Sequence, residues 1–163
     1  MTTDERTVKV FRVYIRATPE RIWEAITDPA WNDKYGYRAP SYYDLRPGGS
    51  FQTLPSDEMK AYGAPDVMID GEMLVVEPPH RLVQKYRFLF SPEHEAEGFT
   101  QLTYDIVEEN DGICRLTVTH DVTDAPIHGA TVVSDTPLHE GGGGWAWILS
   151  DLKTLLESGD AMS

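Results

Sequence analysis

In Thr7–Arg16 (TVKVFRVYIR), Phe11, Val13 and Ile15 alternate with Arg12, Tyr14 and Arg16, the period of a half-buried β-strand. The period changes at once in T-P-E-R-I-W-E-A-I-T-D-P. There Ile22, Ala25 and Ile26 recur at helical spacing behind Thr18 as N-cap, Pro19 at the first helical position and Glu20 at the positive end of the helix dipole. Pro29 disfavours helical geometry at Asp28 and predicts the stop. A second short helical piece is predicted around Trp31–Tyr35.

From Tyr42 to Thr123 the pattern is β. Tyr42–Arg46 and Ser50–Leu54 flank the turn residues Pro47-Gly48-Gly49, and residues 55–66 read as loop. Val67–Glu77 and Arg81–Phe90 are separated by Pro78-Pro79, which cannot continue a central strand. Phe99–Glu109 and Ile113–Thr123 are joined across Asn110-Asp111-Gly112, a strong hairpin signal. Residues 125–140 read as a long irregular loop leading to Gly141–Gly144. The last helix, Trp145–Glu157, carries an apolar face of Trp145, Ile148, Leu149, Leu152, Leu155 and Leu156.

Strand, helix, about six antiparallel strands and a C-terminal helix make an α+β fold. Neither helix buries its apolar stripe alone. A curved antiparallel sheet wrapped around the long last helix, with a cavity between them, is the economical packing. At 163 residues the chain is expected to form a single domain, 1–163, with an ordered core of about 7–158.

Composition narrows the function. Hydrophobic residues at 40% and charged residues at 25% are those of a globular chain. The net charge of −13 is uneven: residues 1–90 hold 13 acids and 12 bases, whereas residues 91–163 hold 14 acids against Arg115 and Lys153 alone. Such a surface repels phosphate backbones and anionic membranes, so no nucleic-acid partner is expected. No apolar run suits membrane insertion, and a cytoplasmic location is expected from an N-terminus without an apolar leader. The lone Cys114 excludes an internal disulfide and a cysteine-based zinc site.

The stretches I-R-A-T-P-E-R-I-W-E-A-I-T-D-P (15–29), D-L-R-P-G-G-S-F (44–51), D-G-E-M-L-V-V-E-P-P-H-R-L-V (70–83), L-T-V-T-H (116–120) and G-G-W-A-W-I-L-S-D-L-K-T-L-L-E (143–157) resemble, in order over nearly the whole chain, the START-like (SRPBCC, helix-grip) superfamily. Within it they resemble homologues of the C-terminal domain of the heat-shock-protein ATPase activator. The resemblance implies the helix-grip fold and a co-chaperone-like interaction module as one function, with a chaperone as partner. It also implies ligand carriers and cyclase-like enzymes as others, because the fold does not determine the activity. It brings no catalytic motif to this chain. The full activator's separate N-terminal domain is not expected in this chain.

Alternation supplies a candidate lining. Leu116, Val118, His120 and Val122 share one face of their strand, and Leu82, Gln84, Tyr86, Phe88 and Phe90 share another, with Leu102, Tyr104 and Ile106 beside them. His120 reads either as a polar group that contacts ligand or moves a proton, or as a hydrogen-bonded core histidine. In Val67–Glu77 both faces are apolar; if Met68, Leu74 and Val76 point inward, Asp70 and Glu72 go with them, and Glu72 is then either a candidate acid or a residue at a frayed or edge position, the second being the favoured reading. Trp31, Tyr35, Tyr37, Tyr42, Tyr43, Phe51, Met59 and Tyr62 crowd one segment, as a gate over the pocket, a homodimer contact or packing beneath loops.

His120, His128 and His139 lack metal-ligand spacing, so no metal or other cofactor is expected, and His128 and His139 are expected to be solvated. Gly141–Gly144 lacks the lysine of a phosphate loop and reads as a hinge or close backbone approach, with 125–144 a candidate lid.

The leading expectation is a carrier of a small apolar or aromatic, lipid- or polyketide-like molecule, neutral or cationic given the negative field. Its ligand-binding residues would be Trp31, Tyr86, Phe88, Tyr104, Leu116, Val118, His120, Trp145 and Leu149. The alternatives are the co-chaperone-like module and a cyclase- or hydrolase-like enzyme using His120 or Glu72 as acid–base.

Overall fold

The computed structural model describes residues 6–163. In chain order the elements are β1 (Val8–Ile15), α1 (Pro19–Thr27), α2 (Pro29–Asn32), β2 (Ser41–Tyr43), β3 (Ser50–Thr53), α3 (Asp57–Ala61), β4 (Ile69–Glu77), β5 (Arg81–Phe88), α4 (Pro92–Glu97), β6 (Thr100–Glu108), β7 (Cys114–Asp121), α5 (Pro126–Val132) and α6 (Gly144–Ser158). The seven strands form one antiparallel sheet in the order β1-β7-β6-β5-β4-β3-β2. Helix α6 packs on the concave face, against β1, α1 and α5.

Local chemistry explains most boundaries. Thr18 accepts the amide of Arg21 at 3.2 Å and Pro19 opens α1, whose Ile22, Ala25 and Ile26 are buried. Asp28 ends α1, yet its carboxylate caps Ala30 at 2.9 Å and Pro29 starts α2. The helical piece expected around Trp31–Tyr35 therefore begins two residues earlier: the proline that stops one helix supplies the first position of the next. Asp111 and Gly112 both take the left-handed conformation that closes the β6–β7 hairpin.

The bulge in β4 resolves its two-sided apolar pattern. Met73 pairs with Gln84 while Val76 pairs with Leu82, and the register slips between them. Ile69 and Met73 therefore face the core before the bulge and Val76 after it, whereas Leu74 is exposed. Asp70 and Glu72 lie on the outer face. Glu72 is 3.7 Å from Lys85, and Asp70 receives both Nε and a terminal nitrogen of Arg87 at 3.0 and 2.7 Å. The alternative of an inward acid at Glu72 is not met: the odd residues face the core up to Met73, and the bulge beyond them brings Val76 inward without Glu72.

Helices lie within 55–66 and 125–140, both expected to be loop, and in the connection between β5 and β6. Ser56 caps α3 and Ser91 caps α4, each accepting an amide at 3.2 Å. Pro126 opens α5, and Leu138–Glu140 form one 3-10 turn. These pieces are too short to show an apolar stripe, so periodicity cannot find them; the cap residues were the available signal.

The glycine run is a close approach. A Cβ on Gly144, which sits at φ +57°, would lie 2.2 Å from the carbonyl oxygen of Val132; one on Gly142 would lie 1.6 Å from that of Thr136. The absent side chains let the start of α6 press against the end of α5.

Candidate functional site

A cavity of about 290 Å³ opens between the concave face and the N-terminal half of α6. Strands β5 and β6 supply Tyr86, Phe88 and Tyr104, and α6 supplies Trp145 and Ile148. Tyr43 and Phe51 close the β2–β3 side; residues 35–39, Met59 and the end of α5 rim the mouth. The rings interlock. Tyr104 meets Trp145 edge-on at 5.9 Å, Tyr86 stacks on Phe51 at 5.7 Å and stands edge-on to Phe88 at 5.3 Å, and Phe51 touches Tyr43 at 4.8 Å.

Of the residues expected to bind ligand, Tyr86, Phe88, Tyr104 and Trp145 face this space together. The others lie elsewhere. Leu116 and Val118 are fully buried in the sheet–helix core, and Leu149, one turn beyond Trp145, packs there too. Trp31 is outside the cavity, flanked by the Arg21 guanidinium at 5.0 Å and the Lys34 ammonium at 4.4 Å from its ring centre. The aromatic-rich segment divides: Tyr35, Tyr37, Tyr43, Phe51 and Met59 reach the cavity, while Tyr42 and Tyr62 are exposed. The lining residues in this segment were visible only as local aromatic density, because irregular backbone carries no period.

His120 is fully buried behind the wall as a hydrogen-bonded relay. The Trp145 indole N–H donates to His120 Nδ1 at 3.2 Å, which leaves Nε2 as the protonated nitrogen. His120 Nε2 lies 2.7 Å from Thr100 Oγ1, and that hydroxyl donates to the Tyr86 carbonyl at 2.6 Å. Burial, aided by His128, pushes the imidazole pKa down to about 3, so the ring is neutral. With both nitrogens committed, His120 positions Trp145 and holds no proton ready for a ligand.

His128 is likewise buried, contrary to the expectation that it is solvated. Its Nε2 accepts the Phe88 amide at 2.9 Å, and its Nδ1 donates to Glu97 at 2.7 Å. Burial alone would raise the Glu97 pKa, but His128 and the amides of Ile127 and His128 outweigh it and lower the pKa. The carboxylate thus caps α5 from α4 and fixes the wall beneath Phe88. His139 is exposed, 3.6 Å from Glu140. Among the described residues no group of three or more His, Cys, Asp or Glu is arranged to hold a metal ion.

The mouth is pinned to α6. The Tyr37 hydroxyl donates to the Gly142 carbonyl at 2.7 Å and accepts the Gly144 amide at 2.9 Å. The buried Asp151 accepts the amides of Gly36 at 2.9 Å and Met162 at 2.5 Å. Burial pushes up the phenol pKa values of Tyr35, Tyr43, Tyr86 and Tyr104, with neighbouring tyrosines adding to each. The cavity wall is therefore apolar rings bearing neutral hydroxyls. No helix of the described residues is long and apolar enough to cross a membrane.

Solved structures share this architecture. CalU16 from Micromonospora echinospora matches with a TM-score of 0.60 at 23% identity, covering 95% of this chain and 87% of its own. An HSP90 activator from Plasmodium falciparum, PFC0360w, matches with a TM-score of 0.55 at 19% identity, covering 92% and 87%. DynU16, from the dynemicin biosynthetic locus, matches with a TM-score of 0.62 at 21% identity, covering 94% of this chain and 48% of its own. At these identities the likeness establishes the fold alone. No curated protein matches the sequence. Residues 16–157 match the family described as Activator of Hsp90 ATPase homolog 1-like protein, and the chain belongs to that family.

Proposed function

We propose that the protein binds a small apolar or aromatic molecule, lipid- or polyketide-like, in the cavity between the sheet and α6. The observation that carries this reading is the ring-lined space of about 290 Å³, large enough for two or three fused rings. Flat walls from Tyr86, Phe88, Tyr104 and Trp145 suit a planar ligand. Each 40 Å² of apolar ligand surface buried contributes about 1 kcal/mol, so a molecule of that size gains several kcal/mol before any polar contact. The net charge of −13 favours a neutral or cationic ligand. The likeness to DynU16 supports a ligand of natural-product type.

The test is ligand-dependent stabilisation. A ligand at 100 times its Kd adds about 2.7 kcal/mol, raising Tm by roughly 5–10 °C in a chain of this size. A screen of lipids, flavonoid-like and polyketide-like compounds, with native mass spectrometry of the purified protein, should find at least one such ligand. No shift and no co-purified mass would refute the proposal.

A second reading, a co-chaperone-like module, is favoured by membership of the activator family and by the likeness to PFC0360w. Pull-down against the cognate Hsp90, with and without nucleotide, separates the two. The acid–base reading finds less support: Glu72 pairs with Lys85 on the outer face, and both His120 nitrogens are engaged.

A further inference from the structure

Every polar side chain around the cavity can be sorted by whether the protein already answers it. Asn32 donates to the carbonyls of Ile26 and Ser41 at 3.2 and 2.8 Å and accepts the Ser41 amide at 2.9 Å. Ser41 and Thr53 bond each other at 2.7 Å. Thr131 donates to Ile127 at 2.8 Å and is bonded by His94 at 2.9 Å. Tyr35 donates to the Ala25 carbonyl at 2.9 Å, and Tyr37 is doubly engaged at the start of α6. Arg38, the charged residue of the lining, has its donors on the hydroxyl and carbonyl of Ser163.

Three hydroxyls remain. Those of Tyr43 and Tyr104 are bonded to each other, which leaves one free proton on that pair, and the Tyr86 hydroxyl has no partner among the described residues. Tyr86 is 6% and Tyr104 7% exposed, on adjacent strands and both packed on Trp145. Buried donors are almost always paired, so the two phenol protons left unanswered on the cavity wall mark where a ligand supplies the partner.

We infer that the ligand of this cavity is a planar aromatic ketone or quinone, whose carbonyl oxygen accepts from the Tyr86 phenol and from the free proton of the Tyr43–Tyr104 pair. The inference rests on the cavity being a ligand site and specifies what it selects. A carbonyl oxygen has two lone pairs in the plane of its ring system, so a flat ketone lying along the aromatic walls accepts from two phenols at once. A plain alkyl chain leaves these donors unanswered at a desolvated site. A carboxylate would enter among neutral hydroxyls with no free cation beside it, since the Arg38 donors are already engaged. Burial keeps the phenols protonated and therefore donating.

The experiment compares two molecules of one shape, 9-fluorenone and fluorene, by equilibrium dialysis against the full chain. Fluorenone should bind at least 10-fold more tightly than fluorene. In the triple variant Tyr43→Phe/Tyr86→Phe/Tyr104→Phe the ratio should fall below 3-fold with fluorene affinity unchanged, which also shows that the variant is folded. Equal affinities in the wild type overturn the carbonyl selection while leaving cavity binding intact. A ratio that survives the triple variant overturns the role of the phenols. Failure of both molecules to bind sinks the cavity reading and this inference together.

Discussion

The indole nitrogen of Trp145 reaches Nδ1 of His120 at 3.2 Å, tying the first turn of α6 to β7, the strand beside the β1 edge of the sheet. That bond aims the ring that covers the cavity, and through Thr100 it is continuous with the backbone of Tyr86, whose own ring forms the opposite wall. Replacing His120 with Ala leaves the indole N–H buried without a partner and removes the ring that stands edge-on to Tyr86 at 5.1 Å. The expected cost is about 2–4 kcal/mol, combining the orphaned donor and the lost packing, read as a lower denaturation midpoint. His120→Gln, which can still accept the indole, should recover part of it.

The same histidine makes stability depend on pH. Its folded pKa of about 3 lies below the unfolded value near 6.5, so between these values the unfolded chain binds the extra proton. The contribution is complete above pH 6.5 and is lost as pH falls toward 3, at about 1.4 kcal/mol per pH unit across the middle of the window. Urea titrations at pH 7, 6, 5 and 4 should show the loss, and His120→Gln should be shallower by close to one proton. His94, whose pKa burial and His128 also lower, contributes with the same sign and should persist in that variant.

Gln84 is fully buried on the core face of β5, between Met73 and Leu102, and among the described residues neither its amide nitrogen nor its oxygen has a partner. An unsatisfied buried amide costs about 1–3 kcal/mol, and methionine fills similar space without the polar atoms. Gln84→Met should therefore raise Tm, by roughly 2–4 °C for each kcal/mol recovered in a chain of this size. Unchanged or lower stability in a thermal melt would mean that the amide has a partner, a bound water or a ligand atom.

Gly144 takes a left-handed conformation with the Val132 carbonyl where a Cβ would stand. Gly144→Ala should destabilise by roughly 2–4 kcal/mol through backbone strain and the displaced contact. Because the Tyr37 hydroxyl accepts the Gly144 amide, the variant should also weaken ligand binding at the mouth. Gly112→Ala, in a hairpin turn with open space around it, isolates the conformational part and should cost less. Equal losses in the two variants would show that the approach of α5 to α6 contributes nothing.

Burial on one side of a strand or helix leaves a period in the chain, and that made the sheet, α1, α6 and the shared face of Tyr86, Phe88 and Tyr104 legible from the amino acids alone. Caps and turn residues located their ends for the same reason, since each acts within a few positions. The bulge in β4 was not legible, because a register slip depends on the partner strand, and it alone lets Met73 and Val76 both face the core while Glu72 faces out. Nor was the cavity. Leu116, Val118 and Leu149 share the apolar character of Tyr86 and Trp145, and only the packing of α6 decides which of them meets solid core and which meets space. The state of His120 is of the same kind. Its neutrality and its role follow from Thr100 and Trp145, 20 and 25 residues away along the chain, and from burial that no local pattern encodes.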